Sequence, residues 1–273
     1  MRGFFVTATD TGVGKTIVTA LVALALQQRG LRVAAMKPIE TGCTLENGNL
    51  IPGDGMFLKT TLNLELDIDT ITPVRYALPL APMVAAMMTG NPVNLDLIRR
   101  AFESLNGFDA VVVEGIGGLM VPISEDYFVR DMINELALPV ILVTAAGLGF
   151  INHTLLSIEL LRSHRLTTAG LVINHNVCPN GKVANMTNPD IIKQLSTIDV
   201  IATVPFIQNI DRTNVEALTS VLRYDILENT AHFDLVQDKE RREGAAFLAL
   251  QDAPGSLRPN AVDLRKHKGL SEP

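Results

Sequence analysis

The stretch Val6-Thr7-Ala8-Thr9-Asp10-Thr11-Gly12-Val13-Gly14-Lys15-Thr16 holds glycines, a lysine and hydroxyls at the spacing of a phosphate cradle. A bound phosphate needs backbone N–H groups in a tight loop and a helix N-terminus behind them. It also needs a lysine for the outer oxygens and a hydroxyl for Mg²⁺. Gly14-Lys15-Thr16 is the intact end of the usual G-x-x-x-x-G-K-S/T pattern; Thr9 occupies the place of its first glycine, and Gly12 adds permissive backbone. The apolar run from Arg2 to Thr7 precedes the loop and a helix-period run from Ile17 to Arg29 follows it, so the cradle joins a strand to a helix.

Further candidates stand at the ends of other apolar runs. Lys37 opens Lys37-Pro38-Ile39-Glu40-Thr41-Gly42; it is either a second cation for a transferring phosphoryl group or a solvated strand-end lysine. Thr41 is placed to hold a substrate group. Asp54, between two glycines, reads alone as an ordinary helix N-cap. Val111-Val112-Val113-Glu114-Gly115-Ile116-Gly117-Gly118 is a strand ending in an acid and a glycine turn, where phosphate-loop proteins keep a carboxylate for Mg²⁺. Asn152, after Gly147-Leu148-Gly149, reads as an N-cap, and Asn174 carries an amide that suits an adenine edge. His153 and His175 have no matched partner for triad or metal chemistry and are taken as surface or structural.

These residues require elements to position them. The pattern predicts strands at Gly3–Thr7, Arg32–Met36, Ala110–Glu114, Val140–Thr144, Ala169–Asn174 and Val200–Val204. It predicts helices at Lys15–Arg29, Asp54–Leu62, Pro82–Thr89, Asp96–Leu105, Val129–Leu136, Asn152–His164, Pro189–Leu195 and Val215–Leu222. Such alternation implies a doubly wound, mostly parallel sheet with helices on both faces, with ligands beyond the carboxyl ends of the strands.

The chain has 273 residues, 47% hydrophobic and 19% charged, enough for one sizeable α/β domain. A net charge of −6 argues against general nucleic-acid binding. The two cysteines have no metal-ligand spacing, no apolar run is long enough to span a bilayer, and the N-terminus lacks the pattern of a signal peptide. A cytoplasmic protein is expected. Residues 1–230 are read as the catalytic domain and 231–273, where periodicity fails, as a loosely ordered C-terminal extension.

Taken together, the segments resemble dethiobiotin synthetase. The matching pieces are Phe5-Val6-Thr7, Asp10 to Thr16, Lys37-Pro38, Thr41-Gly42, Asp54, Val113-Glu114-Gly115, Gly117-Gly118, Pro122, Gly149, Ile151-Asn152-His153 and Asn174. The resemblance implies a P-loop NTPase-type fold and a Mg²⁺- and ATP-dependent ring closure. One amine of 7,8-diaminononanoate takes up CO₂ as a carbamate, the carbamate is phosphorylated, and the second amine closes the ureido ring. By position, Gly12, Val13, Gly14, Lys15, Thr16 and Ile17 would wrap the phosphates, and Thr16, Asp54 and Glu114 would bind Mg²⁺. Gly115, Ile116 and Gly117 would lie against ATP, and Asn174, His175, Pro205, Phe206 and Ile207 against its adenine. Lys15 and Lys37 would carry the catalysis. Thr11 and Thr41 would hold the substrate, as would Asn152 from the second subunit of a homodimer.

Four features depart from the family pattern. Ala8 replaces a glycine, which would strain a positive φ but suits a strand; Ala81-Pro82-Met83 replaces Ser-Pro-His; Arg212 lies near where the family often has an acid facing ATP; and the tail beyond about residue 230 is additional. The alternatives are a cobyrinate-diamide-synthase-like ligase, a partition-type ATPase switch and a nucleotide-binding pseudoenzyme. The first normally adds a glutamine-hydrolysing domain with a Cys nucleophile, and the second a signature lysine that Thr9 to Gly12 do not contain.

Overall fold

The computed structural model describes residues 1–178 and 183–231. The extension expected at the C-terminus lies outside the described residues from 232 onward. In chain order the elements are β1 (Gly3–Ala8), α1 (Lys15–Gln28), β2 (Val33–Met36), β3 (Ile39–Thr41), β4 (Thr44–Glu46), β5 (Asn49–Ile51), α2 (Gly53–Leu62) and α3 (Ile68–Ile71). They continue with β6 (Val74–Tyr76), α4 (Pro82–Thr89), α5 (Leu95–Glu103), β7 (Ala110–Gly118), α6 (Val129–Leu136) and β8 (Val140–Ala145). The last are α7 (Phe150–Ser163), β9 (Thr168–Asn174), α8 (Val183–Leu195), β10 (Val200–Val204), α9 (Arg212–Ala217) and α10 (Tyr224–Ala231).

Six strands form one parallel sheet in the order β10-β9-β8-β1-β7-β2. They are the six runs of branched apolar residues that the sequence marks as strands. Every residue of β1 and β8 is buried, as a central strand covered on both faces must be. Helix α1 is buried all along Val18–Leu26 because it lies on β7 and β1 while α2 and α9 flank it. A helix covered on several sides loses the polar stripe of a surface helix.

Several boundaries differ from the sequence reading. Strand β7 does not turn after Glu114 but runs on to Gly118, which pairs with Ala8 of β1 across a register shift. Helix α7 starts at Phe150 behind Gly149 (φ 90°), so Asn152 is inside its first turn and is not the cap. Helix α8 begins before Pro189, which it buries in its interior, and α9 begins at Arg212 because the Asp211 side chain accepts the Asn214 N–H. The pairs β3–β6 and β4–β5 were not anticipated; strands of three residues are too short to show a period. Ala8 is the fully buried last residue of β1 and not a positive-φ position, so alanine is accommodated there without strain.

Phe5 ties the sheet to its glycine-rich edge. It is fully buried, and a Cβ on Gly115 would stand 2.8 Å from its ring, so the two strands depend on this large–small pairing. Replacing Phe5 by Ala should cost about 3–5 kcal/mol, through lost burial and a residual cavity. Urea denaturation measures it, and a cost below 1 kcal/mol would mean that the sheet closes over the gap.

Candidate active site

The parallel register builds the site. Met36 of β2 pairs with Val113 of β7, so the next residues, Lys37 and Glu114, emerge side by side at the carboxyl edge of the sheet. Pro38 has no N–H and ends the ladder there. Lys37 Nζ donates to Glu114 Oε1 and, at 2.8 Å, to Asp54 Oδ2 at the start of α2. Thr16 Oγ1, from the first turn of α1, donates to Glu114 Oε1 at 2.9 Å. Lys37 and Glu114 are almost wholly buried and Asp54 is half-buried. Asp54 is therefore not the N-cap of α2, which is Pro52; its carboxylate faces Lys37 instead.

The phosphate loop arches over this cluster. Gly12 and Gly14 have φ of 73° and 97°, and a Cβ on Gly14 would come within 2.1 Å of the Asn174 amide nitrogen. That position admits only glycine, on conformational and steric grounds together. The loop is held from the end of β9. Asn174 donates its amide to the Val13 carbonyl at 2.8 Å, and Asn176 donates to the Gly12 carbonyl at 2.9 Å. Lys15 Nζ donates back to the Asp10 carbonyl at 3.3 Å.

A cavity of about 570 Å³ opens over these groups. Thr11, Gly12, Gly14, Lys15, Thr16, Ile17, Lys37, Thr41, Asp54, Glu114, Ile116 and Gly117 all line it, so most of the residues proposed from sequence converge. Val13 lies buried behind the loop and Gly115 packs on Phe5. Asn174, His175, Pro205, Phe206 and Ile207 stand at or just beyond the ends of β9 and β10 and do not line this cavity. Asn152 is exposed on α7. Arg212 donates to the Thr61 carbonyl and pairs with Glu216 at 3.7 Å, which ties α9 to the end of α2. Ala81 caps α4 without a side-chain bond, with Pro82 at the first turn.

Four neighbours of the site were not picked out in the sequence. Glu40 sits inside the Lys37–Gly42 string and Asn176 lies two residues beyond Asn174, and their polarity beside buried strands was the available signal. Phe57 and Ile210 also line the cavity; nothing in their local sequence marks them, because the fold brings them there.

Charge is arranged to receive an anion. Burial works against the Lys37 ammonium, but Glu114 and Asp54 outweigh it and hold it protonated. Burial likewise opposes the Asp54 charge, and Lys37 holds that carboxyl below its usual range. Burial pushes the Glu114 carboxyl up, and Lys37 draws it part of the way back. Among the described residues no carboxylate forms an ion pair with Lys15: burial, and then repulsion from Lys37, lower it to about 8.

The donor set fits Mg²⁺. Glu114 Oε2 is buried and has no hydrogen-bond partner among the described residues, beside the Thr16 hydroxyl and the Asp54 carboxylate. Hydroxyl and carboxylate oxygens suit this hard cation, which takes few protein ligands when phosphates supply the rest. Among the described residues no cluster of three His, Cys, Asp or Glu is set up to hold a metal alone.

A glycine loop opening a helix, a lysine behind it and a strand-end acid beside its threonine define a P-loop nucleotide-binding protein. In keeping with that class, the AAA domain family matches residues 2–214. The chain is 40% identical over 232 residues to the ATP-dependent dethiobiotin synthetase BioD of Thermodesulfovibrio yellowstonii, covering 82% of this chain and 96% of the relative. It is 36% identical over 235 residues to the BioD of Bacillus thuringiensis (strain Al Hakam), covering 85% and 95%. A chain of the MinC:MinD cell division complex of Aquifex aeolicus is similar at 15% identity and a TM-score of 0.47, over 85% of this chain and 95% of that one, too slight a likeness to bear on function. The chain belongs to the ATP-dependent dethiobiotin synthetase family.

Lys15 provides a pH test of the cradle. With its pKa near 8 in the free protein, Lys15 is deprotonated above that pH, whereas a bound triphosphate stabilises its charged form. Nucleotide binding should therefore take up a proton above pH 8, and affinity should fall as pH rises. Calorimetry at pH 8.5 in two buffers of different ionisation enthalpy measures the uptake. No uptake at either pH 7 or 8.5 would place the Lys15 proton elsewhere.

Proposed function

We propose that this chain joins CO₂ to the two amines of 7,8-diaminononanoate at the expense of ATP, forming dethiobiotin, ADP and phosphate. The observation that carries this reading is the buried Lys37, held between Glu114 and Asp54 at the mouth of the phosphate loop. Membership of the synthetase family gives that charge arrangement its reaction.

Each group has a task set by its place. The N–H groups of the Gly12–Ile17 loop and the Lys15 ammonium hold the triphosphate. Mg²⁺, when bound, would be held by Thr16, Asp54 and Glu114 and would neutralise the phosphate oxygens. One amine of the substrate attacks CO₂ and loses a proton, giving a carbamate whose negative charge Lys37 and Lys15 stabilise. A carbamate oxygen displaces ADP from the γ-phosphorus, and the second amine then attacks the carbamoyl carbon, expels phosphate and loses a proton to the departing phosphate or solvent. Positioning and charge neutralisation suffice for such a transfer.

The substrate would lie along Thr41 and Thr11. Thr11 also lines a second cleft, of about 610 Å³, between β7 and α7. A second copy of the chain covering that cleft would supply Asn152 to the substrate carboxylate, as in a homodimer. Asn174, His175 and Pro205 to Ile207 would flank the adenine. The reaction would run in the cytoplasm on small molecules. None of the helices described is long and apolar enough to cross a membrane.

The full chain with ATP, Mg²⁺, bicarbonate and 7,8-diaminononanoate should yield dethiobiotin, detected by mass, in step with ADP. ATP turnover without that product sinks the reading. Lys37→Ala should lose most of the turnover, by about 100-fold or more for a charge aimed at the transferring group, while nucleotide affinity stays within a few-fold. Unchanged turnover would reduce Lys37 to a structural ion-pair partner.

A further inference from the structure

Glu40 lines the cavity but has no part in the chemistry above. Its side chain is nearly wholly buried, and both its oxygens are used: Oε1 accepts the Asp54 N–H and Oε2 the Gly55 N–H, each at 3.0 Å. Those N–H groups belong to the first turn of α2, where the helix has no carbonyl to offer them. The residue at the cap position, Pro52, makes no side-chain bond. A carboxylate from β3 therefore does the capping, at the positive end of a helix dipole that favours it. The desolvation of a buried acid is offset there by two charge-assisted bonds.

The consequence lies in what else the same short segment holds. Lys37, separated from Glu40 only by Pro38 and Ile39, grips the Asp54 carboxylate at 2.8 Å, while Glu40 grips the Asp54 main chain. The chain that connects the two sides in sequence is the β4–β5 hairpin, whose residues from Thr44 to Asn49 are all exposed. Glu40 thus links the two elements directly, where the exposed hairpin offers no buried connection.

We infer that Glu40 is a positioning residue for Asp54, setting where that carboxylate stands relative to Thr16 and Glu114 and so the affinity of the site for magnesium nucleotide over bare nucleotide. This rests on the Mg²⁺–ATP part of the proposed function and not on the identity of the amine substrate.

Glu40→Gln is the informative variant. It keeps the length of the side chain but offers one acceptor, and its NH₂ meets a backbone N–H head-on. Glu40→Ala removes both acceptors. In calorimetric titrations of the full chain, ATP affinity in EDTA should stay within about twofold of the unsubstituted protein. The gain in affinity on adding Mg²⁺ should shrink by about 10–100-fold, the range for groups that orient metal ligands. The half-saturating Mg²⁺ for ATP turnover should rise in parallel, with kcat largely recovered at high Mg²⁺. Folded variants with an unchanged Mg²⁺ dependence would make Glu40 a helix cap and nothing more. Should both variants fail to fold, hydrogen exchange on the unsubstituted protein decides. The Asp54 and Gly55 amides should slow when Mg²⁺ is added to the ATP complex, and no change would overturn the inference. Absence of dethiobiotin from the unsubstituted protein would sink the synthetase reading while leaving these Mg²⁺ comparisons intact.

Discussion

The site depends on a lysine ammonium buried between two carboxylates. Removing any one of these charges from water costs several kcal/mol, and leaving one unpaired costs more than the pair returns. Lys37, Glu114 and Asp54 can therefore share this place only while β2, β7 and the start of α2 keep their relative positions. The sheet supplies two of the three through backbone register. Met36 opposite Val113 puts Lys37 and Glu114 next to each other with no adjustable joint. The third, Asp54, arrives from outside the sheet and is bound by its own side chain to Lys37 and by its main chain to Glu40.

The phosphate loop answers to the same sheet. It leaves β1 between β8 and β7, and its carbonyls at Gly12 and Val13 are taken by amides at the end of β9. With those carbonyls held, the loop keeps a left-handed backbone at positions 12 and 14, and at 14 the Asn174 amide leaves room for glycine alone. The chain thus meets an anion with two cations of different character. Lys37 is already compensated by carboxylates, whereas Lys15 gains its full charge stabilisation only from the ligand. Ala8, where the family resemblance leads one to expect a glycine, leaves the arrangement undisturbed because it belongs to the strand and not to the loop.

Much of this was legible in the linear order of residues. The six strands of the sheet are runs of branched apolar residues, and each of them was placed to within a few residues at its start; the end of β7 was not, because Gly115 to Gly118 read as a turn. Glycines usually end strands, but here the strand runs on through them: at Gly115 and Gly118 a Cβ would press on Phe5 and on the Ala8 carbonyl of β1. Asn152 read as a cap for a similar reason: a short polar side chain near a helix start is the common solution, and Gly149 took the role instead through its left-handed backbone. The three-residue strands, the capping role of Glu40 and the apolar neighbours Phe57 and Ile210 carry no period or motif.

The sequence by itself determined the phosphate loop, the parallel α/β class and which residues are candidates for the reaction, because each rests on local spacing: Gly-Lys-Thr at a strand–helix junction, and a charged residue closing a buried strand. Only the tertiary structure decided which charges meet. Lys37 stands open between a second cation and a solvated strand-end lysine until the register sets it against Glu114, and Asp54 taken alone reads as a helix cap until Glu40 takes the cap and leaves its carboxylate for Lys37. Pairings between residues far apart in the chain depend on strand order and register, which no window of neighbouring residues contains.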